Sequence, residues 1–506
     1  MSVALTGNDL TFVQLEAVVF NGAEVALASH ARASMEASRA VIERLVASNT
    51  TVYGVNTGFG ELSEVRISPD QIRKLQLNLV RSHACGVGAP LSEAETRGVM
   101  LLRANALAKG LSGVRPVVVE TLCAMLNRRV HPVIPSQGSV GASGDLAPLA
   151  HLAQVIIGEG EAIAREEKLS GRDALRGAGI APLTLEAKEG LSLLNGTQGM
   201  LALLVLGLRE AAVLADTADV AAALSLDALR GSPAAFDERI ARARPYPGAA
   251  TTARNLTRLN RGSQIRESHR SAERDPRVQD AYSLRCAPQV HGAVRDAITQ
   301  VRATAALELN SATDNPLVFV DAQGGEVISG GNFHGQPLAM AADQLAVGLA
   351  TLAGVSERRI EQMTNPSTSL LPAFLSAEPG LNSGFMLAQV TAAALASENK
   401  MLSVAHSVDS IPTSGNQEDY VSMGMSATRR LRPMLDNLRN ILAIELLAAC
   451  QGIDLLAPLR TGAEAQKAYE IVRSVSPRVN ADRALAPDIG AIAQLISDAA
   501  FQKLLS

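Results

Sequence analysis

The chain has 506 residues, 47% hydrophobic but only 3% aromatic with no Trp, and a formal net charge of −4. Acids and bases are spread along it, which excludes the basic stripe of a nucleic-acid surface. The core must come from Ala, Leu, Val and Ile, a composition that favours closely packed helices over sheets.

Length predicts roughly two or three domains, or one large interlocked body. The N-terminal MSVALTGNDL lacks the basic and apolar regions of a secretory signal. Cys85, Cys123, Cys286 and Cys450 lie far apart with no C-x-x-C, and read as reduced thiols of a cytoplasmic protein.

In chain order, residues 51–62 (TVYGVNTGFGEL) read as a short strand running into a glycine loop. Helical patterns follow over 69–82 and 93–109. VHPVIPSQGSVGASGD, with two prolines and three glycines, reads as a loop. Asp145 then stands as the N-cap of a helix running to about residue 157.

After Asn195 the texture changes. Alanine-rich segments over 197–229, 288–313, 337–363, 384–406 and 428–451 read as long helices. At 1.5 Å per residue they predict a bundle ~35–50 Å long. In the third, Leu338, Leu345, Leu349 and Leu352 share one face and few charges decorate the first turns, so it reads as a buried helix and not a membrane span. A hairpin around Gly324-Gly325 interrupts the series, and the mixed-charge stretch 254–277 reads as solvated. The expected division is a loop-bearing N-terminal domain over 1–200 and a long-helix domain over 201–506.

The stretch GSVGASGDLAPLAH, 138–151, sets Ala142-Ser143-Gly144 in a glycine-studded loop ahead of a helix. Ala-Ser-Gly alone is a weak signal, expected by chance in roughly one chain in five of this length. A plain helix-leading turn is one reading. An anion cradle is another, although no lysine follows the loop and neither phosphate-loop pattern is present. The third is chemical. If the backbone bends sharply, the Gly144 amide nitrogen reaches the Ala142 carbonyl carbon, an approach that the missing Cβ permits. Loss of water closes an imidazolone ring, and loss of a second water from Ser143 leaves an exocyclic methylene.

That loop resembles the signature of the aromatic amino-acid ammonia-lyases. So do, in the family's order, YGVNTGFGEL, LQLNLVRSHACGVG, LLNGTQ, QDAYSLRCAPQVHGA, ELNSATDNPLVF, GGNFHGQP and SGNQEDYVSMG. Eight ordered segments over nearly the whole chain make accident improbable, and RSHACG and NQED most resemble the histidine-specific branch. The resemblance implies a mainly α fold: an elongated, fumarase/aspartase-like helical bundle with a smaller mixed N-terminal region carrying the loop. It implies a 4-methylidene-imidazol-5-one (MIO) group made from Ala142, Ser143 and Gly144, with no metal or dissociable cofactor. It also implies a homotetramer with active sites shared between subunits, acting on a small amino acid, with no nucleic-acid or membrane partner. The implied reaction is L-histidine to trans-urocanate and ammonia.

The same resemblance places Tyr53 near the substrate amine and makes Tyr282 the base for the β-proton. Arg285, three residues on, has a fork suited to the substrate carboxylate. Asn195 is placed by the ring carbonyl, Gln279 near substrate or ring, and Phe333 beside the prosthetic group. His83 and Glu418 are placed against the substrate imidazole, whose two ring nitrogens both groups can pair with; a phenyl ring would leave them unsatisfied. Two residues depart from the pattern: Tyr420 where His is usual after NQED, and Cys85 where a small alanine is usual. Tyr420 keeps open a tyrosine or phenylalanine ammonia-lyase, or an aminomutase. A non-catalytic relative is a further alternative. The eight histidines show no H-x-x-x-H spacing, and no metal site is expected.

Overall fold

The computed structural model describes residues 2–48, 50–58, 65–271, 273–275 and 277–505. It is mainly α, as expected, and divides into two compact units. One comprises Met1–Leu206, Arg302–Asp343 and Ala405–Arg429; the other comprises Gly207–Val301, Gln344–Val404 and Arg430–Ser506.

The expected single cut near residue 200 is therefore corrected. The first unit also takes in two later segments because their side chains and backbone are needed there. The hairpin of Leu317–Phe319 and Glu326–Ile328 buries Val318 in a cluster with Val41, Ile42, Val55 and Ile72. In the third segment, the Met423 amide donates to the Val140 carbonyl at 2.9 Å.

All the described strands lie in the first unit and form small sheets of two or three strands. Helix Glu93–Ala108 runs through this unit with Thr96 to Ala108 all buried. Its start is fixed by a capping box in which Ser92 and Glu95 satisfy each other's backbone amides. Helices Ile72–His83 and Glu93–Ala108 fall where the periodicity predicts.

Two local readings are corrected. Residues 51–58 form turns and not a strand, because Asn56 closes them on themselves: its Oδ1 accepts from the Val52 amide at 2.8 Å and its Nδ2 donates to the Thr50 carbonyl at 2.8 Å. Side-chain closure of this kind competes directly with ladder pairing. The rest of that predicted element, 59–62, lies outside the described residues. The stretch read as one loop contains two short strands, His131–Pro132 and Pro135–Gln137, paired with Glu161–Ala164 and Val87–Pro90.

Of the long helices, Gln198–Ala228, Ala287–Glu308 and Gln336–Thr364 each begin in one unit's residues and end in the other's. Gln198–Ala228 and Gln336–Thr364 are long and apolar enough to cross a membrane, but most of each apolar window is buried inside the protein. Leu338, Leu345, Leu349 and Leu352 are all buried, as their spacing predicts. In the second unit, helix Leu431–Leu455 packs against Met386–Leu402, Ala463–Arg473 and Ala486–Ser497. It buries an unbroken apolar run from Ile441 to Ile444 and a second from Leu446 to Cys450, with Glu445 between them. Each buried leucine there contributes roughly 2 kcal/mol of transfer free energy.

Candidate active site

The loop ahead of helix Leu146–Ile156 is held in a conformation only glycine permits. Gly141 and Gly144 have φ of 72° and 73°. A Cβ on Gly144 would lie 2.1 Å from the Gly196 carbonyl oxygen. Gly144 and Gly196 bridge each other, with the Gly196 amide donating to the Ser143 carbonyl at 3.3 Å and the Asp145 amide donating to the Gly196 carbonyl at 2.7 Å. The sharp bend, the absent Cβ and the small side chain of Ala142 fit a backbone that cyclises across these three residues.

Asp145 does stand at the N-cap position, but its carboxylate caps nothing in its own helix. Instead it accepts from the Met200 amide at 2.7 Å and the Ser139 hydroxyl at 3.1 Å. Full burial pushes its carboxyl up to about 6 against those hydrogen bonds.

Above the loop lies a cavity of about 570 Å³. Of the residues expected at the site, it brings together Tyr53, His83, Ala142, Ser143, Asn195, Phe333 and Glu418. Gly144, the residue after Ser143, is not among the lining residues. The Ser143 hydroxyl donates to Glu418 Oε1 at 3.4 Å, and the Thr413 hydroxyl holds Glu418 Oε2 at 2.8 Å. His83 ends helix Ile72–His83 with Nδ1 3.0 Å from the Ser82 hydroxyl. Burial holds it below its usual 6.5, opposed by the Leu79 carbonyl and the Glu418 charge. Asn195 is buried; its Nδ2 donates to the Asn315 carbonyl at 3.0 Å, and its Oδ1 meets no donor among the described residues. Tyr420 also lines the cavity, its ring stacked on His334 at 6.3 Å between centroids.

Gln279, Tyr282 and Arg285 are not among the lining residues. They belong to the second unit. Gln279 is exposed, and Tyr282 is 69% exposed on a single helical turn, Tyr282–Arg285. The three-residue spacing does put Arg285 beside Tyr282, its guanidinium 4.5 Å from the ring centroid. Among the described residues lining the cavity there is no Lys or Arg, whereas Glu418 and Asp419 bring two carboxylates.

Sequence reasoning missed the charges behind the cavity. Arg103, fully buried, donates from Nη1 to the Asn195 carbonyl at 2.6 Å and to Gln198 Oε1 at 2.8 Å. Burial lowers it to about 10. Lys188 and Asp314, both buried, pair at 2.8 Å, and Ser192 donates to the same carboxylate oxygen at 2.7 Å. Asp314 Oδ1 accepts from the Asn315 amide at 2.7 Å, so this ion pair fixes the residue whose carbonyl holds Asn195. TDNP carries Asp314, but Arg103 and Lys188 lie outside the quoted segments, and nothing local marks either as buried.

A family model described as aromatic amino acid lyase matches residues 10–474. A histidine ammonia-lyase from Koribacter versatilis is 58% identical over 503 residues, 97% of each chain. The crystal structure of histidine ammonia-lyase from Trypanosoma cruzi matches at TM-score 0.91 and 45% identity, covering 100% of this chain and 95% of that one. Tyrosine aminomutase from Streptomyces globisporus matches at TM-score 0.94 and 39% identity, covering 100% and 98%. With the loop, the cavity and near-complete coverage all in agreement, the chain belongs to the aromatic amino acid lyase family.

Proposed function

We propose that this protein eliminates ammonia from L-histidine to give trans-urocanate, a carbon–nitrogen lyase reaction. The observation that carries the reading is His83 and Glu418 sharing one cavity with Ser143, in a chain 58% identical to a histidine ammonia-lyase. An imidazole offers one N–H donor and one acceptor, so a carboxylate and a histidine satisfy both ring nitrogens. Low basicity keeps His83 neutral near pH 7, leaving it able to donate from one nitrogen and accept at the other. A phenyl ring in the same place would strand both polar groups, at roughly 1–3 kcal/mol each.

The reaction breaks the Cα–N and one Cβ–H bond and forms the Cα=Cβ double bond. The MIO group, made from Ala142, Ser143 and Gly144, supplies the electrophile that makes so weakly acidic a β-proton removable. In this reading an Asn195 N–H would stabilise negative charge at the ring carbonyl, and Phe333, also lining the cavity, would stand beside the group. Tyr53 lines the cavity, and in this reading its hydroxyl holds the substrate amine. Tyr282 takes the β-proton at its phenolic oxygen, Arg285 clamps the carboxylate in a bidentate fork, and Gln279 completes the pocket.

The cavity has no cation among its described lining residues for a substrate carboxylate, while Arg285 and Tyr282 stand on the second unit's turn. This supports a homotetramer in which one copy's turn serves another copy's cavity. Four unbonded cysteines support a cytoplasmic location.

A second reading rests on Tyr420: an aromatic ring at the cavity wall suits an arylalanine, turned over by a lyase or an aminomutase. The deciding experiment offers histidine, phenylalanine and tyrosine separately to purified protein and follows both α,β-unsaturated acid and β-amino acid. Urocanate from histidine alone, with an intact mass lower by about 36 Da for two lost waters, is the expected result. Preference for phenylalanine or tyrosine, or a β-amino acid product, overturns it.

A further inference from the structure

The second unit contains a buried polar chain that the reaction above does not use. Arg359 and Glu445 are both fully buried. Arg359 grips Glu445 with Nε and Nη2, the latter at 2.9 Å, while Ser225 donates to Glu445 Oε1 at 2.8 Å and Ser356 donates to Oε2. This leaves the Nη1 edge of the guanidinium free to point elsewhere. It meets His291 Nε2 at 3.2 Å and the Ser283 carbonyl at 3.3 Å.

An arginine only donates, so His291 Nε2 must be the acceptor and its proton must sit on Nδ1. Nδ1 lies 2.8 Å from Asp219 Oδ1, the acceptor this tautomer requires. Arg295 and Asn255 hold the other oxygen of Asp219 at 2.7 and 2.8 Å. Burial keeps His291 below its usual 6.5, reinforced by the neighbouring Arg359 charge and opposed by Asp219. With His291 neutral, Arg359 balances Glu445, while Arg295 is shared between Asp219 and the less buried Asp216, at 2.7 and 2.8 Å.

Such a chain is a poor source of net stability, since apolar residues of the same volume do as well. What it supplies is direction. Ser283 is the second residue of the turn Tyr282–Arg285, whose N-cap residue, Ala281, makes no side-chain cap. Two other tethers reach the same turn: Arg285 Nε donates to the Asp280 carbonyl at 3.0 Å, and Asp280 accepts from the Ser232 amide at 2.6 Å. The Arg359 contact ties it to a fully buried ion pair.

We propose that Arg359 is a positioning residue for the reaction: clamped by Glu445 and oriented by neutral His291, it fixes through the Ser283 carbonyl the turn that presents Tyr282 and Arg285. This rests on the reading that those two residues act on substrate. Because the turn carries both a proton-transfer group and a carboxylate clamp, loosening it disturbs chemistry and binding together. A variant that merely folds less completely loses apparent kcat in proportion to the inactive fraction and keeps its KM.

The test is steady-state kinetics with histidine on full-length Arg359→Lys, beside Tyr282→Phe and Ser356→Ala, with circular dichroism and subunit mass to establish folding. Lysine keeps the charge and lacks the fork. The expected result for Arg359→Lys is kcat down about tenfold or more and KM up about fivefold, with Tyr282→Phe nearly inactive. A folded Arg359→Lys with wild-type kcat and KM, or with kcat lowered and KM unchanged, overturns the positioning role while leaving the role of Tyr282 intact. Full turnover by Tyr282→Phe overturns both. If Arg359→Lys does not fold, Ser356→Ala decides. It removes one donor from the clamp, and a two- to fivefold fall in kcat with a raised KM is expected; unchanged constants overturn the proposal.

Discussion

The unit that holds the cavity and the unit that carries Tyr282 bury charge in the same way and for different ends. In the first, Lys188 and Asp314 pair out of water, and Arg103 sends a hydrogen bond to the Asn195 carbonyl. In the second, Arg359 and Glu445 pair out of water, and Arg359 sends a hydrogen bond to the Ser283 carbonyl. Arg103 and Arg359 thus each reach the backbone of, or next to, a residue expected to act on substrate. In the first unit the result is a sealed loop, with Gly144 against Gly196 and no room for a methyl group. In the second it is a side chain left 69% exposed. One unit holds a concave surface, and the other carries an exposed tyrosine on a short turn. In both places a buried charge, a weak source of net stability, holds backbone on which the proposed site depends.

The sharpest way to break that comparison is at the loop. Ser143→Ala removes the oxygen whose loss as water would complete the proposed electrophile, and with it a 3.4 Å hydrogen bond to Glu418. Turnover of histidine is expected to fall by about ten-thousandfold or more, roughly 5 kcal/mol of barrier, with little change in unfolding midpoint. Urocanate absorbance and intact mass together check this; near-wild-type turnover removes the electrophile from the mechanism.

A second variant tests the structural half. Lys188→Ala leaves Asp314 buried and unpaired, which costs about 3–5 kcal/mol when one partner of a buried pair is removed. Urea unfolding measures it. Lys188→Met together with Asp314→Leu is expected to recover most of that loss yet remain slow with histidine, because Asn315 and Asn195 lose their anchor. Recovery of both stability and turnover in the double variant would show that the pair only fills space.

Third, Glu418→Gln keeps the shape of the cavity wall and removes its charge. A fall of about a hundredfold in kcat/KM for histidine is expected, near 3 kcal/mol, with stability changed by less than about 0.5 kcal/mol. Unchanged turnover of histidine ends the assignment of Glu418 to the imidazole.

How far the sequence foretells this arrangement depends on whether a signal is local. Leu338, Leu345, Leu349 and Leu352 repeat on one helical face, and the helix is there with all four buried. The glycine spacing around Ser143 announces a bend, and the bend is there. Asp145 is legible as an N-cap position, but its carboxylate is drawn to the Met200 amide, a partner 55 residues away that no local pattern marks. Asn56 defeats the strand read over 51–58 through its own side chain. Lys188 and Arg359 look like surface charges in sequence, because their partners stand 126 and 86 residues away. The division into units fails to follow a single cut for the same reason: Val318 completes a core begun at Val41, and nothing between them predicts it.

The smallest effect concerns His83 and refines the role of its neighbour. The unfolded chain binds a proton at His83 with the ordinary value of 6.5, and the folded chain binds it less readily because burial disfavours the cation. The contribution of His83 to stability is therefore fully present above pH 6.5 and is lost as pH falls through the lowered folded value. Glu418 opposes the shift, so Glu418→Gln should lower the folded value further and carry the loss to more acid pH. NMR titration of the His83 ring in both proteins measures this directly. A folded-state His83 whose titration is indifferent to Glu418→Gln would mean that the two side chains do not share an environment, and the imidazole pocket would need another pair of walls.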